Sequence, residues 1–507
     1  MVSQLSVFAT WVTLFVAAFA HAAGVSWPFH TLFTYAQGVW GLQIVALAAL
    51  VVVLNQASSW KQAAWRGWFF ATVWLASTFW WLYISLHVYG GLNAALTVLS
   101  VVVLAGLLAI YYAVACAIFW RWRNPLTFAA LWTAAELARG TWLTGFGWGA
   151  VGYAHIDGPL SSLIPWLGSY GVGMVAAGLA GLLAWRHFIP VVALLLGGWG
   201  LQYAAITWSG DTGKLSVTLL QGNIPQDEKF QQGSGIPLAL RWYEHELLFS
   251  PSALIVAPET AIPLLPDELP FGYWETLQRR FATGNQAAML GVPLGNAREG
   301  YTNSMVGFAP TQTTPWQYNK HHLVPFGEFI PPAFQWFMQL MHIPLGDFNR
   351  GALGQPSFAW KGQRLAANIC YEDLFGEELG TRFTDPATAP TIFVNISNIG
   401  WFGDSIAMHQ HLQISRMRTL EFERPMIRST NTGMTAIIDH HGNVTHTLPP
   451  LTRGALQGLV EGRSGMTPFA WWVARFGLWP IWVVIAIFLV AARAYSMSVT
   501  GQKDEKS

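Results

Sequence analysis

Charge is what this sequence has least of. Only 10% of its 507 residues are Asp, Glu, Lys or Arg, against roughly 25% in soluble globular proteins. Cysteine is scarcer still. There are two, Cys116 and Cys370, too few for a disulfide framework, so each is read alone. The formal net charge is +1, which removes the broad positive field expected of a nucleic-acid binder. No internal repeat, collagen-like period or low-complexity run is present. What the chain has instead is 53% hydrophobic residues and 28 Trp. That composition excludes disorder and points to a chain that lives partly in lipid.

The few charges are unevenly placed. From Met1 to Ser209 they are Lys61, Arg66, Arg121, Arg123, Glu136, Arg139, Asp157 and Arg186. From Gly210 to Arg463 the density is that of an ordinary soluble domain. After Arg463 only Arg475 interrupts an apolar stretch that ends at Arg493 and a short polar tail. An uncharged apolar run of about 20 residues can cross a bilayer as a helix. This gives eight expected spans: Leu5–Ala23, Gly38–Leu54, Trp68–His87, Leu92–Phe119, Leu126–Leu137, Leu160–Trp185, Phe188–Trp208 and Phe476–Ala492. The fifth is short and carries Glu136, so it reads either as a crossing or as a buried helix packed on its neighbours. The expected domains are a seven-span bundle over 1–209, a soluble domain over 210–463, and a last span with its tail over 464–507.

If these helices alternate, Lys61 and Arg66, Arg121 and Arg123, Arg186, and Arg493, Lys503 and Lys506 fall on one side. Basic loops stay cytoplasmic, so both termini are expected inside and the soluble domain outside. Ala20-His21-Ala22 looks like a signal-peptide cleavage site, but no Lys or Arg precedes Lys61, which argues against one. Trp80-Trp81 and Trp471-Trp472 read as an interfacial aromatic belt.

In the soluble domain, short apolar runs alternate with helical patterns. Strands are expected at Leu215–Leu220, Leu254–Ala257, Ala288–Val292, Ser304–Ala309, Leu365–Tyr371, Thr391–Ile396, Met426–Thr430 and Thr435–Asp439. Helices are expected at Leu238–Leu248, Tyr273–Ala282 and Ala407–Glu423. The mixture indicates a layered α/β sheet domain. Leu323–Pro332 and Trp336–Gly354 read as loops able to move.

Three positions in this domain draw attention. Cys370 ends an apolar run and meets the polar turn Tyr371-Glu372-Asp373. That is where a strand can present a nucleophile with backbone N–H groups beyond it, or merely bury an inert thiol. Glu259 ends the run Ile255-Val256-Ala257-Pro258, and a carboxylate there is either paired or functional. Lys320 opens the polar loop to Glu328, as a catalytic cation or as half of a surface salt bridge. Cys116, inside an expected span, reads as packing, so no disulfide between the two cysteines is expected.

Ala257-Pro258-Glu259-Thr260, Tyr318-Asn319-Lys320 through Phe326-Gly327-Glu328, and Asn368-Ile369-Cys370-Tyr371-Glu372 together resemble the Glu-Lys-Cys set of the nitrilase, or carbon–nitrogen hydrolase, superfamily. Joined to a membrane bundle, they resemble the apolipoprotein N-acyltransferase family over nearly the whole chain. Matching segments also occur at Leu143–Trp148, Ile156–Leu160, Val217–Pro225, Ser397–Gly403, His411–Arg424 and Arg428–Gly433. The resemblance implies an α-β-β-α sandwich beside a helical membrane bundle, with Cys370 as nucleophile, Glu259 as its base and Lys320 as the oxyanion partner. It further implies Glu328, Tyr371 and Glu372 as supports, with Glu328 and Glu372 holding Lys320. Trp148, Asn303 and Trp401 are implied as substrate contacts. The implied reaction moves an acyl chain from a phospholipid to Cys370, then to the amine of a diacylglyceryl-cysteine lipoprotein. No cofactor or metal, a monomeric state and a bacterial inner-membrane location are the accompanying expectations. Two segments depart from the family pattern, Asn398-Ile399-Gly400 and Asp227-Glu228-Lys229-Phe230. The second leaves the part of Phe230 in lipid contact open.

A membrane-tethered amidase using the same Glu259, Lys320 and Cys370 is the alternative enzyme. A transporter needs more ionisable groups inside the spans than are visible here. Gly147–Gly152 matches G-x-G-x-x-G but follows no strand. The pairs His321-His322, His409/His411 and His440-His441 lack metal-ligand spacing. Arg416, Arg418, Arg424 and Arg428, mixed with Glu421 and Glu423, read as a solvated or internally paired face.

Overall fold

The computed structural model describes residues 6–204, 206–312, 314–330 and 348–504, with side chains to residue 494. Residues 331–347, which take in parts of the two loops expected to move, lie outside the described residues. The chain forms two compact units. One comprises the chain up to Tyr83, from Ala94 to Ile206 and from Phe476 onward. The other comprises Ile84–Asn93 and Thr207–Arg475.

The first unit is helical. Its helices begin where side chains can satisfy the first free N–H groups. Ser6 caps Val7–Val25, Ser59 caps Trp60–Thr78, and Asn124 with Pro125 opens Pro125–Thr141. Among the described residues, three helical runs are long and apolar enough to cross a membrane: Val7–Val25, Ala94–Phe119 and Pro159–Ala184. There are up to five if the interrupted pairs Trp60–Thr78 with Leu82–Tyr89 and Pro468–Phe476 with Trp479–Ala494 each count once. Trp40–Asn55 and Phe188–Tyr203 are apolar but shorter.

Several expected spans are therefore corrected. Trp68–His87 is not one helix, because the helix ends at Thr78 and Ser85–Tyr89 is a wide turn belonging to the other unit. Phe188–Trp208 stops as a helix at Tyr203, and the last helix starts at Trp479, not Phe476. The expected fifth span lies in Pro125–Thr141, where Thr127–Gly140 is almost wholly buried. Hydropathy counts apolar residues but does not see breaks such as Gly168, whose φ of 67° interrupts Ile164–Ala184. The aromatic-belt reading also divides. Trp80 is exposed, whereas Trp81, Trp74 and Trp132 are among the largest fully buried side chains.

Several polar groups of this unit face its interior, where ionisable groups within lipid are expected. Glu136 accepts the Val151 N–H at 2.9 Å. Arg139 donates to Tyr112 Oη at 2.9 Å and to the Trp148 carbonyl at 2.8 Å. Both side chains therefore grip the Phe146–Val151 loop. A second polar thread joins His155 Nε2 to Gln43 Oε1 at 2.8 Å, and Gln43 Nε2 to His21 Nδ1 at 3.5 Å. These buried groups were not apparent as a set in the sequence.

The second unit contains two six-stranded sheets. The first has the order β12 (Gly454–Gly465), β1 (Ser209–Gln221), β2 (Leu254–Val256), β3 (Ala287–Asn296), β4 (Gly300–Phe308), β5 (Trp316–Asn319). The second has the order β11 (Val444–Thr447), β10 (Ala436–Ile438), β9 (Met426–Thr430), β8 (Ile392–Ser397), β7 (Gln363–Ile369), β6 (Phe358–Trp360). Side-chain alternation along each strand builds the layers. Val217, Leu219, Leu254, Val256 and Met289 of one sheet meet Leu365, Ala367, Ile369, Ile392, Val394 and Ile427 of the other. Residues of the opposite parity, Leu220, Ile255, Ala288 and Leu290, pack under the helices Gly235–Phe249 and Tyr273–Ala282. On the far side Ala366 and Phe393 pack with Phe422 and Phe469. The result is the expected helix–sheet–sheet–helix sandwich.

The central parallel strands β2, β7 and β8 appear in the sequence as continuous apolar runs because both of their faces are buried. Four strands were missed: β5, β6, β11 and β12. The long β12 pairs antiparallel with β1 from Gly454 to Gly465. It is an edge strand, rich in Gly and charge and mostly half-exposed, with Val460 and Gly462 its buried positions. Its pattern lacks the apolar run of a central strand.

Candidate active site

The site lies where strands of both sheets end. Glu259 follows β2, Lys320 follows β5, Cys370 follows β7 and Asn398 follows β8. Asn303 points in from β4. The carboxyl ends of parallel strands leave backbone groups and turns facing a common crevice.

Lys320 is 1% exposed, and its Nζ lies 3.3 Å from Glu259 Oε1 and 2.9 Å from Glu328 Oε1. Asn303 Nδ2 donates to the same two carboxylate oxygens, at 2.7 and 2.6 Å. The Asn398 N–H donates to Glu259 Oε2 at 2.8 Å. Glu328 is fixed in turn by the Val324 N–H at 2.8 Å. Three of the expected residues, Glu259, Lys320 and Glu328, thus form one buried cluster with Asn303.

The electrostatics set the protonation states. Burial opposes ionisation of Glu259, but Lys320, Asn303, Lys229 and the Asn398 N–H together hold its carboxyl below the usual range. Burial opposes the charge on Lys320, yet Glu259 and Glu328 hold its pKa above the ordinary lysine value. Burial and the Glu259 charge push the Cys370 thiol up, while Lys320 and the Asn398 N–H favour the thiolate. The resting arrangement is a thiol beside a carboxylate and an ammonium. A carboxylate near a thiol is a group that can serve as a base, and a fixed ammonium is one that can stabilise an oxyanion.

Cys370 is partly exposed and sits at φ 55°. A left-handed conformation costs a non-glycine residue on the order of 1–3 kcal/mol and persists only where surrounding contacts impose it. Glu372 is one such contact. Its carboxylate accepts the Ile369 N–H at 2.6 Å, the His321 and His322 N–H groups at 2.7 and 3.1 Å, and Tyr318 Oη at 2.9 Å. It ties the chain before Cys370 to the chain after Lys320 rather than hydrogen-bonding Lys320 itself. Tyr371 packs against Phe375 and His322, with ring centroids 5.2 and 5.6 Å away.

The expected substrate contacts fall in different places. Asn303 belongs to the cluster. Trp401 lies in the short turn Ile399–Phe402 after Asn398, and its ring meets Tyr89 edge-on at 5.5 Å. Tyr89 comes from Ile84–Asn93, the separate piece of chain that completes this unit. Trp148 belongs to the first unit, where it is 4% exposed against Trp81.

Two residues escaped sequence analysis. Lys229 is 2% exposed, donates to the Glu259 carbonyl at 3.1 Å, and is pushed down to about 8 by burial, against the pull of Glu259 and Cys370. In sequence it stands among Asp227, Glu228 and Phe230, in a segment marked only as a departure from the family pattern. Asn398 contributes a backbone group, which no side-chain pattern announces. The arginine stripe is internally paired, not solvated. Arg418 meets Glu421 at 2.7 Å, Arg424 donates to the Pro390 and Gly465 carbonyls, and Arg428 meets Asp373 at 3.3 Å.

Comparisons with known proteins follow the same division of the chain. Residues 29–182 match the apolipoprotein N-acyltransferase N-terminal domain, and residues 217–462 match the carbon–nitrogen hydrolase family. An apolipoprotein N-acyltransferase of Verminephrobacter eiseniae is 54% identical over 500 residues, covering 91% of this chain and 92% of its own. One of Ralstonia nicotianae is 43% identical over 476 residues, covering 90% and 89%. A solved carbon–nitrogen hydrolase from Helicobacter pylori aligns at 15% identity with a TM-score of 0.36, over 53% of this chain and 94% of its own.

Proposed function

The chain belongs to the apolipoprotein N-acyltransferase family, and on that premise we propose that Cys370, Glu259 and Lys320 carry its acyl transfer. In the first half-reaction Glu259 takes the thiol proton as Cys370 attacks an ester carbonyl of a phospholipid. Lys320 stabilises the oxyanion, the thioester forms, and the lysophospholipid leaves with the proton from Glu259. In the second half-reaction the N-terminal amine of a diacylglyceryl-modified apolipoprotein attacks the thioester. Glu259 takes a proton from the amine and returns one to the departing thiolate. This is ping-pong catalysis through a covalent intermediate. The observation that carries the reading is the buried Glu259–Lys320–Glu328 cluster beside a left-handed Cys370. The names of the relatives favour acyl transfer over hydrolysis of a small amide.

The proposal includes topology. Eight crossings, a soluble domain on the periplasmic side and cytoplasmic termini are supported by the shared side of the basic residues Lys61, Arg66, Arg121, Arg123, Arg186 and Arg493. One experiment tests chemistry and side together. Vesicles holding the full chain receive acyl-labelled phospholipid, then a diacylglyceryl lipopeptide from outside. A hydroxylamine-labile label on Cys370 is expected. It should be discharged to the lipopeptide in vesicles that keep the periplasmic face outward and not in inverted ones. No label on Cys370 would overturn the chemistry, and discharge only in inverted vesicles would overturn the topology.

Lys229 supplies a pH prediction. Its charge helps hold Glu259 ionised, so Lys229→Met removes a cation that holds the carboxyl pKa down. The base is then protonated at higher pH, and the acid limb of kcat/KM should move up in pH. Lys229→Arg should restore it. An unmoved limb in Lys229→Met would separate Lys229 from the base.

A further inference from the structure

The turn that carries Cys370 is held from below by a buried set of groups that the acyl-transfer scheme does not use. The Cys370 carbonyl accepts two side-chain donors, Asn395 Nδ2 at 3.1 Å and His411 Nε2 at 3.2 Å. Asn395 spends its other N–H on Asn368 Oδ1 at 2.6 Å. His411 lies on the helix Ala407–Phe422 and is 1% exposed. Its Nε2 also faces Asp373 Oδ1 at 2.9 Å. Its Nδ1 faces Arg428 Nη2 at 3.1 Å.

A guanidinium only donates. Nδ1 must therefore carry the lone pair, and the single ring proton sits on Nε2, directed at the Cys370 carbonyl and the Asp373 carboxylate. Arg428 is itself fixed, by Asp373 Oδ2 at 3.3 Å, by the His411 carbonyl at 3.2 Å and by Ser415 Oγ. Ser415 Oγ in turn donates to Asp373 Oδ2. Every member of this set is 1% exposed or less. Asp373 follows Cys370 within the same turn, so the set grips that turn at both Cys370 and Asp373.

We propose that His411, fixed as its Nε2–H tautomer by Arg428, is a positioning residue for Cys370, holding the carbonyl of the left-handed turn so that the sulfur stays aimed at Glu259 and Lys320. The inference rests on Cys370 being the acylated nucleophile. A displacement of about 1 Å at a reacting atom can cost on the order of a hundredfold in rate.

Substituted amides provide the test, because they occupy the ring's space and differ in where they donate. His411→Gln places an amide N–H near the Nε2 position. His411→Asn reaches only the Nδ1 position. Acylation by labelled phospholipid and alkylation of Cys370 by iodoacetamide, followed on the Cys370 peptide, are measured on full-length protein with intact thermal unfolding. Expected for His411→Asn is a ten- to hundredfold fall in acylation kcat with KM for phospholipid unchanged, and slower alkylation. His411→Gln should recover both to within a few-fold. His411→Ala should follow Asn, and if it fails to fold the Gln and Asn pair still decides. Equal rates in Gln and Asn, or a change in KM alone, would overturn the proposal. Absence of acylation in the unsubstituted protein would overturn the nucleophile assignment instead, while the alkylation rates would still report on His411.

Discussion

Replacing Cys370 by alanine should reduce acyl transfer by a factor on the order of 10⁶, to background, because removal of a covalent nucleophile leaves binding and oxyanion contacts with nothing to acylate. No hydroxylamine-labile label should form in Cys370→Ala. The fold should survive. The thiol is partly exposed, and the Glu259–Lys320–Glu328 cluster keeps its own hydrogen bonds without it. The unfolding temperature is therefore expected to stay close to that of the unsubstituted protein. Residual transfer above one part in about a thousand, or a labelled thioester on Cys116, would remove Cys370 from the centre of the reaction.

The second large effect belongs to Lys320, and there activity and stability should fall together. Lys320→Met removes the cation between Glu259 Oε1 and Glu328 Oε1, which then share only Asn303 Nδ2, while the Asn398 and Val324 N–H groups stay on the outer oxygens. Two carboxylates so close without a cation between them come to share a proton, so the base is weakened as the oxyanion partner is lost. Turnover should drop about a thousandfold or more. Breaking a buried ion pair by removing one member costs about 3–5 kcal/mol, to be read as a lower denaturation midpoint. Lys320→Arg should not rescue, because a planar guanidinium cannot occupy the place of a compact ammonium. The double variant Lys320→Met with Glu328→Gln separates the two effects: it should regain most of the stability and none of the activity. Near-native stability in Lys320→Met alone would mean that the cluster is not the tightly coupled unit described.

How much of this could be read beforehand depends on what a side chain announces. The sandwich core was legible because β2, β7 and β8 are buried on both faces and show as unbroken apolar runs. The edge strand β12 was not, since Gly, Glu461 and Arg463 give it the look of a loop. Glu259 and Cys370 stand at the ends of such runs and Lys320 opens a polar loop, and the structure gathers Glu259 and Lys320 into one cluster with Glu328 at hydrogen-bond distance. In the sequence Lys229 marks only a departure from the family pattern, His411 reads as half of a histidine pair without metal spacing, and Arg428 as part of a solvated or internally paired stripe. A basic stripe on a helix can look solvated until the tertiary fold removes the water. The membrane helices failed in the opposite way. Hydropathy finds apolar length but not the breaks at Gly168 and after Thr78.

The small piece Ile84–Asn93 has a consequence for how this protein can be inherited and dissected. It lies between two stretches of the helical unit in sequence but folds with the other unit, placing Tyr89 on Trp401, and a side chain added at Gly403 would run into Ile84. The unit of the two sheets is therefore not a contiguous stretch of gene. A fragment cut at Thr207 would leave part of its own surface behind, and an exchange of domains between relatives at that boundary would pair one parent's Trp401 turn with another's Tyr89. The two halves can be expected to change in step, and chimaeras should work best when both pieces come from the same parent.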